Sequence, residues 1–296
     1  MGSFIKILPI SVVIPTYKRT IQLEKTIKKI YTCDPLPAEI IIHIDAGDSE
    51  TEIFISRLFP EILLVSSHTT QGPGGGRNIA IDKANHEIVA TFDDDSYPIQ
   101  KDYFFRLVSL FAKDPLIAVI ESTIYHRFEK KPTEVYEHKI CNIFTGCGVA
   151  YRKSMYQIIG GYIPINPAYG IEEADFSIRS KVFPYLFIRS SWLTVYHDTL
   201  LDHHDSVINN SAALSNLGLL VYLRYPLKMW PYGILQILNR FIWSLQNKRF
   251  RGLIKGIFEI PIKCVKFRKY RKTLHISVIV QYLHKREKLE AYEFEM

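Results

Sequence analysis

Three consecutive carboxylates, Asp93, Asp94 and Asp95, form the segment of this chain that most suggests chemistry. They follow residues 87–92, a short apolar and β-branched segment that predicts a buried strand. Like charges repel and carboxylates are rarely buried without partners, so we expect a cation beside them. If the chain stays extended, Asp93 and Asp95 share one face, where their oxygens suit Mg²⁺ or Mn²⁺. The alternative is a solvated acidic turn closed by Pro98.

A glycine-rich segment, residues 71–78, precedes that strand and contains Arg77. Glycines let a backbone approach a ligand closely, and a helix N-terminus beside an arginine favours phosphate. The segment is not a Walker motif, because no Gly-Lys-Ser/Thr follows it. It is also not a GxGxxG motif after the first strand. An ordinary flexible loop is the alternative interpretation.

A second acidic segment, Glu172, Glu173 and Asp175, begins a predicted helix. Acidic residues suit a helix N-terminus, and capping alone would explain two of the three. A further strand, predicted over residues 192–196, delivers His197 at its end.

Strands and helices alternate along the first part of the chain. The pattern predicts strands over 10–17, 39–45, 62–65 and 87–92, and helices over 20–30, 49–58 and 76–84. This alternation indicates an α/β fold with βαβ units and a mostly parallel, Rossmann-like sheet covered by helices on both faces. Right-handed crossovers place the loops after the strands along one edge. Residues 16–19, Asp45 and residues 93–95 should meet there.

The length of 296 residues allows one large α/β domain and an appendage, which we divide into residues 1–205 and 206–296. Four cysteines without CxxC spacing fit a reducing compartment. Residues 1–6 lack the features of a signal peptide, and Lys6 stands where a myristoylation motif needs Ser or Thr. We therefore expect a cytoplasmic protein.

The C-terminal segment is strongly basic. Residues 221–288 carry 16 Lys and Arg against two Glu, a balance of +14 in a chain of net charge +7, which leaves −7 elsewhere. Such a segment could bind nucleic acid or an anionic membrane surface. We do not expect nucleic-acid binding, because the sequence contains no recognised module.

Apolar stretches at residues 214–223, 234–245 and 252–258 are too short or too polar to predict a membrane span. Helices that lie in the membrane interface fit better. The expected contacts are Trp230, Trp243, Arg240, Lys248, Arg249 and Arg251. The alternative is a helical subdomain packed on the catalytic body, with solvated Lys and Arg.

Several segments, in this order and spacing, resemble glycosyltransferase family 2 with the GT-A fold. They are residues 12–17, 76–78, 92–95, 160–162 and 170–175, together with His197. The resemblance spans about residues 8–200 and rests on the whole set rather than on any one segment. It implies inverting transfer of a sugar from a nucleotide-diphosphate sugar, assisted by Mn²⁺ or Mg²⁺.

The resemblance also implies roles for individual residues. Asp93 and Asp95 occupy the positions of the family's DxD motif, and His197 could complete the metal shell or touch the phosphates. His203 and His204 compete for that role, and His197 could equally be a packed histidine. The remaining residues expected to bind the donor are Pro15, Thr16, Tyr17, Arg19, Asp45, Arg77 and Asp94. Tyr17 could instead be a packed surface aromatic.

Glu173 stands where the family often has Asp as the catalytic base, although Glu172 or Asp175 could take that role. Asp45 matches the first residue of a common Asp-Asp-Gly, but Ala46 replaces the second. This departure weakens the contact to the nucleotide base inferred there.

The resemblance implies a transferase in cell-surface polysaccharide or glycolipid assembly, with a saccharide or lipid-linked saccharide as acceptor. The protein would then bind peripherally at the cytoplasmic face of the membrane. One alternative is a nucleotidyltransferase that makes NDP-sugars, but that class would place its glycine-rich motif directly after the first strand. The other is a membrane-associated scaffold without activity, which the intact Asp93, Asp95 and Glu173 disfavour.

Overall fold

The structure, a computed structural model, describes residues 6–199, 206–285 and 288–294. Its strands are β1 (Ile7–Thr16), β2 (Leu36–Ile44), β3 (Leu63–Ser66), β4 (Ile88–Thr91), β5 (Ser96–Pro98), β6 (Ile117–His126), β7 (His138–Ile140), β8 (Val149–Arg152), β9 (Leu186–His197) and β10 (Glu290–Ala291). Its helices are α1 (Thr20–Ile30), α2 (Ser49–Leu58), α3 (Gly72–Lys83), α4 (Tyr103–Lys113), α5 (Lys153–Ile159), α6 (Glu172–Ser180), α7 (Val207–Arg224), α8 (Trp230–Gln246), α9 (Leu253–Lys266) and α10 (Ile276–Lys285).

All ten strands join one sheet in the order β10-β7-β9-β6-β8-β4-β1-β2-β3, and β5 pairs with β9. The half from β4 to β3 is parallel, as the alternation of strands and helices predicts. Strand β8 is inserted antiparallel between β4 and β6. The sheet is therefore mixed, with its parallel half built from the first 91 residues.

Helices cover both faces of the sheet. The side chains of β1 alternate between two hydrophobic clusters, one on each face. Val12 and Ile14 pack in a cluster that contains residues of α1 and α4. Val13 packs on the opposite face in a cluster with residues of α3, α5 and α6. A strand buried on both faces reads as a nearly continuous apolar run, and residues 10–14 show this pattern with Ser11 as the one polar residue. The predicted α/β fold is confirmed.

The C-terminal helices pack on the body of the sheet through a third cluster. This cluster joins Ile171 and Ile178 to Leu219 and Leu223 of α7 and to Ile279 of α10. No helix within the described ranges is both long enough and apolar enough to cross a bilayer. The division of the chain near residue 205 stays a prediction.

Two local expectations about the loops are wrong. The extended conformation does not persist through the three aspartates, because β4 ends at Thr91 and a turn follows, closed by the bond from Ser96 N to Asp93 O. The helix after the glycine-rich segment begins at Gly72 rather than at Gly76. The glycines thus form the first turns of a helix, and they are not a flexible loop.

Candidate active site

The loops after β1, β2, β4 and β9 meet at one edge of the sheet, where they enclose a cavity of about 520 Å³. Such a volume suits a small-molecule ligand. The cavity is lined by Pro15, Thr16, Tyr17, Arg19, His43, Asp45, Thr70, Gly72, Pro73, Asp93, Asp94, Asp95, Asn166, His197 and Thr199. Every residue expected from the sequence to contact donor or metal is in this set except Arg77.

Asp94 fixes the loop after β1, and Arg19 in that loop pairs with both Asp94 and Asp95. The carboxylate of Asp94 accepts a hydrogen bond of 2.9 Å from Thr16 Oγ1 and lies 2.9 Å from Arg19 Nη1. Burial raises the pKa of Asp94 to about 7, against the opposing effect of Arg19. Asp94 therefore couples the β4 turn to the β1 loop within the donor-side wall.

Asp93 and Asp95 converge on His197. The Nε2 atom of His197 lies 3.0 Å from Asp95 Oδ1 and 3.9 Å from Asp93 Oδ2. Burial lowers the pKa of His197, but its contacts with Asp95 and Cys147 outweigh burial and raise it to about 11. Burial raises the pKa of Asp95, yet contacts with His197 and Arg19 hold it below its ordinary value. The turn thus brings the two carboxylates together without the extended geometry expected from the sequence.

The donor set fits a divalent metal. Asp95 Oδ1 is buried and has no aligned hydrogen-bond donor among the described residues, although His197 lies close by. Asp93, Cys147 and His197 each offer a ligand atom, and these atoms lie within 4.8 Å of one another. Carboxylate oxygens suit Mn²⁺ or Mg²⁺, and imidazole is a common ligand of divalent transition metals. A metal would replace the proton of His197, because a ligating imidazole is neutral.

Cys147 contacts the ring nitrogen of His197 that does not face Asp95. Its Sγ atom lies 3.5 Å from His197 Nδ1, and the side chain is buried. A partner on one ring nitrogen fixes which nitrogen faces a metal. Cys147 could not be assigned to the site from the sequence, because it lies 50 positions from His197 and no motif spacing links the two residues.

Arg77 lies beneath the site and does not line the cavity. Its side chain is buried, 3% exposed, and donates a hydrogen bond to Asp93. Burial lowers the pKa of Arg77, but the negative charge of Asp93 more than compensates and raises it. The structure therefore places Arg77 as a support for Asp93, whereas the sequence suggested a phosphate contact.

Asp45 already occupies the N-terminus of α3. Its carboxylate accepts hydrogen bonds from the backbone N–H groups of Gln71 at 2.9 Å and Gly72 at 3.0 Å. Asp45 therefore occupies N–H groups at the start of α3, whereas the helix start expected from the sequence lay at Gly76. Asp45 lines the cavity and also holds α3 in place, a role that explains its burial.

The three acids of α6 have three different environments. Glu172 is buried and accepts a hydrogen bond of 2.9 Å from Gly74 N. Asp175 is fully buried and pairs with Arg179 and Arg224. Glu173 alone is partly exposed. Both Glu172 and Asp175 are thus committed to holding the fold.

Glu173 lies near Asp93, and Gly146 separates Glu173 from the Arg77 side chain that contacts Asp93. A Cβ atom built on Gly146 would lie 2.5 Å from Glu173 Oε1 and 3.7 Å from Arg77 Cζ, so both groups flank this glycine. Arg77 in turn contacts Asp93. Burial raises the pKa of Glu173, and the nearby charge of Asp93 adds to that effect. Glu173 is a carboxylate with raised basicity near, but outside, the cavity wall.

Other residues of the cavity carried no sequence signal. Asn166 and Thr199 reach it from loops, and His43 reaches it from β2, where its Nε2 atom lies 2.6 Å from Ser67 Oγ. His203 and His204, the competitors of His197, lie outside the described residues.

Proteins with an open α/β sheet bind ligands at the edge where the loops after the strands meet. The carboxylates and the histidine of this protein lie at that edge, as in α/β enzymes. Residues 11–169, more than half of the chain, match the family model described as Glycosyl transferase family 2. The chain therefore belongs to glycosyltransferase family 2, as its motifs predict.

A curated relative from Campylobacter jejuni subsp. jejuni serotype O:2 is named GalNAc(5)-diNAcBac-PP-undecaprenol beta-1,3-glucosyltransferase. It is 33% identical over 212 residues, which cover 69% of this chain and 58% of the relative. The chain thus matches little more than half of that protein's length.

Solved structures share the fold. The structure of GalNAc-T7 with UDP, GalNAc and Mn²⁺ has a TM-score of 0.60 at 16% identity, covering 74% of this chain and 48% of that one. PcManGT from Pyrobaculum calidifontis, a mannosyltransferase in complex with GDP-Man and Mn²⁺, has a TM-score of 0.54 at 14% identity, covering 93% and 79%. S. aureus TarS with UDP-GlcNAc has a TM-score of 0.56 at 12% identity, covering 94% and 79%. These likenesses show the GT-A fold.

Proposed function

We propose that this protein transfers a sugar from a nucleotide-diphosphate sugar to a hydroxyl acceptor, with inversion at the anomeric carbon. The observation that carries the proposal is the convergence of Asp93, Asp95 and His197 on one wall of the cavity. Family membership and the ligands named for the structural neighbours support it.

The cavity would hold the donor. Thr16, Tyr17 and Asp45 line the part between β1 and β2, which suits the nucleoside, while Asp93, Asp95 and His197 lie on the diphosphate side. These three residues would hold a divalent metal, whose charge neutralises the negative charge that grows on the leaving diphosphate.

Glu173 would act as the general base. The acceptor hydroxyl must lose its proton as its oxygen attacks the anomeric carbon, and a carboxylate within hydrogen-bond reach can accept that proton. Glu172 is buried against Gly74 N and Asp175 is paired with arginines, whereas Glu173 is the partly exposed acid of the three. A single displacement needs one base and no carboxylate nucleophile, and it inverts the anomeric configuration.

The acceptor in our proposal is a lipid-linked saccharide, used in the assembly of a cell-surface polysaccharide or glycolipid. The name of the curated relative, which specifies an undecaprenol-linked acceptor, supports this substrate class. An enzyme acting on such a substrate has to work at a membrane surface, so we propose peripheral binding at the cytoplasmic face.

The outer surface of α8 and α9 supports membrane binding. Each helix exposes an apolar stripe on one face, and the side chains of these stripes are 47–69% exposed. The stripes consist of Leu235, Leu238, Ile242 and Leu245 on α8, and of Ile254, Phe258, Ile262 and Val265 on α9. We call these eight residues the apolar face. Exposed apolar stripes of this kind often mark an interaction surface.

The charges around the apolar face favour an anionic lipid surface as that partner. Arg240 and Arg249 lie over the ring of Trp243, at 4.5 and 5.6 Å from its centroid. Glu259, the one acid of these two helices, faces inward and accepts a hydrogen bond of 2.8 Å from Ser211. Basic residues and tryptophan beside an apolar stripe are typical of helices in the membrane interface.

The activity is tested by incubating the protein with a panel of NDP-sugars, Mn²⁺ and lipid-linked saccharides, and by measuring NDP release. Stoichiometric NDP and glycosylated acceptor would support the transferase. A nucleotidyltransferase would instead form NDP-sugar and diphosphate from a nucleoside triphosphate and a sugar phosphate. A non-catalytic scaffold would give neither product.

A further inference from the structure

A second cavity, of about 400 Å³, lies beside the first. It is lined by Thr70, Gln71, Pro164, Asn166, Lys266, Phe267, Lys269 and Tyr270. We call it the lysine cavity. Thr70 and Asn166 line both cavities, so the two share a wall. A ligand in the lysine cavity would therefore lie next to the proposed sugar-transfer site.

The lysine cavity has an excess of positive charge. Lys266 and Lys269 are exposed, and no carboxylate forms an ion pair with either within the described ranges. Their ammonium groups lie over the rings of Phe267 and Tyr270, at 5.4 and 5.0 Å from the centroids. The cavity thus offers two cations without anionic partners on an aromatic floor, which suits a phosphate group.

A buried ion pair fixes the lysine cavity relative to the candidate base. Arg224 of α7 donates to the backbone carbonyl of Tyr270 at 3.0 Å, and its other guanidinium nitrogens pair with Asp175. Asp175 lies on α6, two residues after Glu173. The same arginine therefore holds the lysine-bearing segment against the helix that carries the base.

We propose that the lysine cavity binds the phosphate or diphosphate group of the acceptor. This inference rests on the proposed function and specifies its acceptor as an anionic, phosphate-linked saccharide. Lys266 directly follows Val265, a member of the apolar face, so the phosphate would lie between the buried lipid chain and the saccharide. The saccharide would extend past Thr70 and Asn166 toward Glu173.

Lysine footprinting tests the proposal with the full-length protein. The protein is acylated with an amine-reactive reagent in the presence of farnesyl diphosphate, inorganic diphosphate or farnesol, and each lysine is quantified by mass spectrometry. We expect farnesyl diphosphate to protect Lys266 and Lys269, while farnesol does not. Lys83 and Lys113, which are exposed and lie outside both the cavity and the apolar face, serve as internal controls.

The three probes separate the sources of the phosphate. Protection by farnesyl diphosphate, with or without weaker protection by inorganic diphosphate, supports an acceptor site. Protection by inorganic diphosphate alone would indicate a site for free phosphate and overturn the proposal. Equal protection of Lys83 and Lys113, or no protection, would also overturn it.

A variant series gives a second measurement. In Lys266→Ala the farnesyl diphosphate concentration that half-protects Lys269 should rise about tenfold, the effect of losing roughly one charge-assisted contact. Lys255→Ala, the control on the same helix, should leave this half-protecting concentration unchanged. NDP release from the donor panel reports the proposed transferase independently, so either hypothesis can fail while the other stands.

Discussion

At the scale of single residues, the site is built from acids whose neighbours give them different roles. Asp94 and Asp175 are paired with arginines and hold loops and helices together. Asp95 pairs with Arg19 and also faces His197, and Glu173 is the partly exposed acid of α6. Carboxyl groups of the same kind thus differ in what binds them and in how far they reach solvent.

Replacement of Glu173 tests the assignment of the base. Glu173→Gln should lower turnover by roughly 10²–10⁴-fold, the usual contribution of a general base, and leave donor binding nearly intact. Steady-state kinetics and calorimetry with the donor would measure both. If Glu173→Gln keeps full turnover, the base is another group.

The pH dependence of the reaction provides a further test. Burial raises the pKa of Glu173, and a base works only when deprotonated, so turnover should fall as the pH drops through this raised pKa. The acidic limb of the kcat profile should therefore lie above the ordinary range of a glutamate, about 4.3. An acidic limb at or below that value would contradict the environment described here.

Metal binding depends on Asp95 in our proposal. Asp95→Ala should weaken Mn²⁺ binding by at least about 100-fold, since it removes a ligand rather than a supporting residue. Titration calorimetry with MnCl₂ measures the affinity, and circular dichroism controls for folding. The isosteric variant Asp95→Asn, which keeps the side-chain volume, should bind Mn²⁺ as weakly as Asp95→Ala. An unchanged affinity for Mn²⁺ in both variants would exclude this metal site.

At the scale of elements, the C-terminal helices are joined to the catalytic body by a buried ion pair and by close backbone contacts. Arg224 is 3% exposed, and Asp175 is fully buried. Gly256 of α9 lies against the backbone of Ser211 on α7, where an added Cβ would approach Ser211 O to 2.8 Å. These contacts position the lysine cavity and the apolar face relative to α6.

Loss of the buried pair should destabilise the protein strongly. Asp175→Asn leaves Arg224 buried without its counter-charge, and the free energy of unfolding should fall by about 3–5 kcal/mol. Glu24→Gln breaks the surface pair with Lys28 and should cost less than about 1 kcal/mol. Urea denaturation compares the two. Equal effects would show that the Asp175–Arg224 pair contributes nothing beyond a surface pair.

Gly47 and Gly252 have nearly the same positive φ but different surroundings. Alanine substitutions at the two positions therefore distinguish the cost of backbone strain from the cost of steric crowding. Gly252, at φ +84°, would place a Cβ 2.4 Å from Val207 O, whereas Gly47, at φ +82°, has nothing within 4 Å. Gly47→Ala should cost only the conformational penalty of roughly 1–2 kcal/mol. Gly252→Ala should cost clearly more, as measured by urea denaturation. A smaller loss at Gly252 than at Gly47 would mean that α9 can move away from α7.

At the scale of the whole molecule, charge is divided between the two ends of the chain. The segment from residue 221 to 288 carries +14, and the rest carries −7. Because each basic residue near an anionic bilayer contributes about 1 kcal/mol, this division would orient the protein with the apolar face toward the membrane.

Vesicle flotation tests that orientation. Vesicles containing phosphatidylglycerol should capture the protein, and capture should fade with salt. Phe258→Glu combined with Ile262→Glu should abolish it, while Ile53→Glu with Leu58→Glu, exposed apolar residues of α2, should not. Equal recovery with neutral vesicles at every salt concentration would contradict an electrostatic component. A stable dimer that the α9 variant dissociates would assign the face to a second copy instead.

The sequence alone determined the α/β fold and most of the cavity wall. Mostly apolar runs at residues 10–14 and 88–92, each with one polar residue, specify strands buried on both faces. The loops that follow them share an edge through the handedness of the crossovers. Residues such as Thr16, Asp45 and Asp95 could therefore be placed together from local pattern and topology.

Only the tertiary structure showed which partner binds each polar group. The sequence left Glu172, Glu173 and Asp175 as alternatives, because the bond from Gly74 and the pairing with Arg224 join residues 98 and 49 positions apart. Cys147 reaches His197 across 50 positions, and Arg77 turned out to support Asp93 from below. Such contacts depend on burial and side-chain direction, which no local spacing encodes, and they assign each polar group its partner.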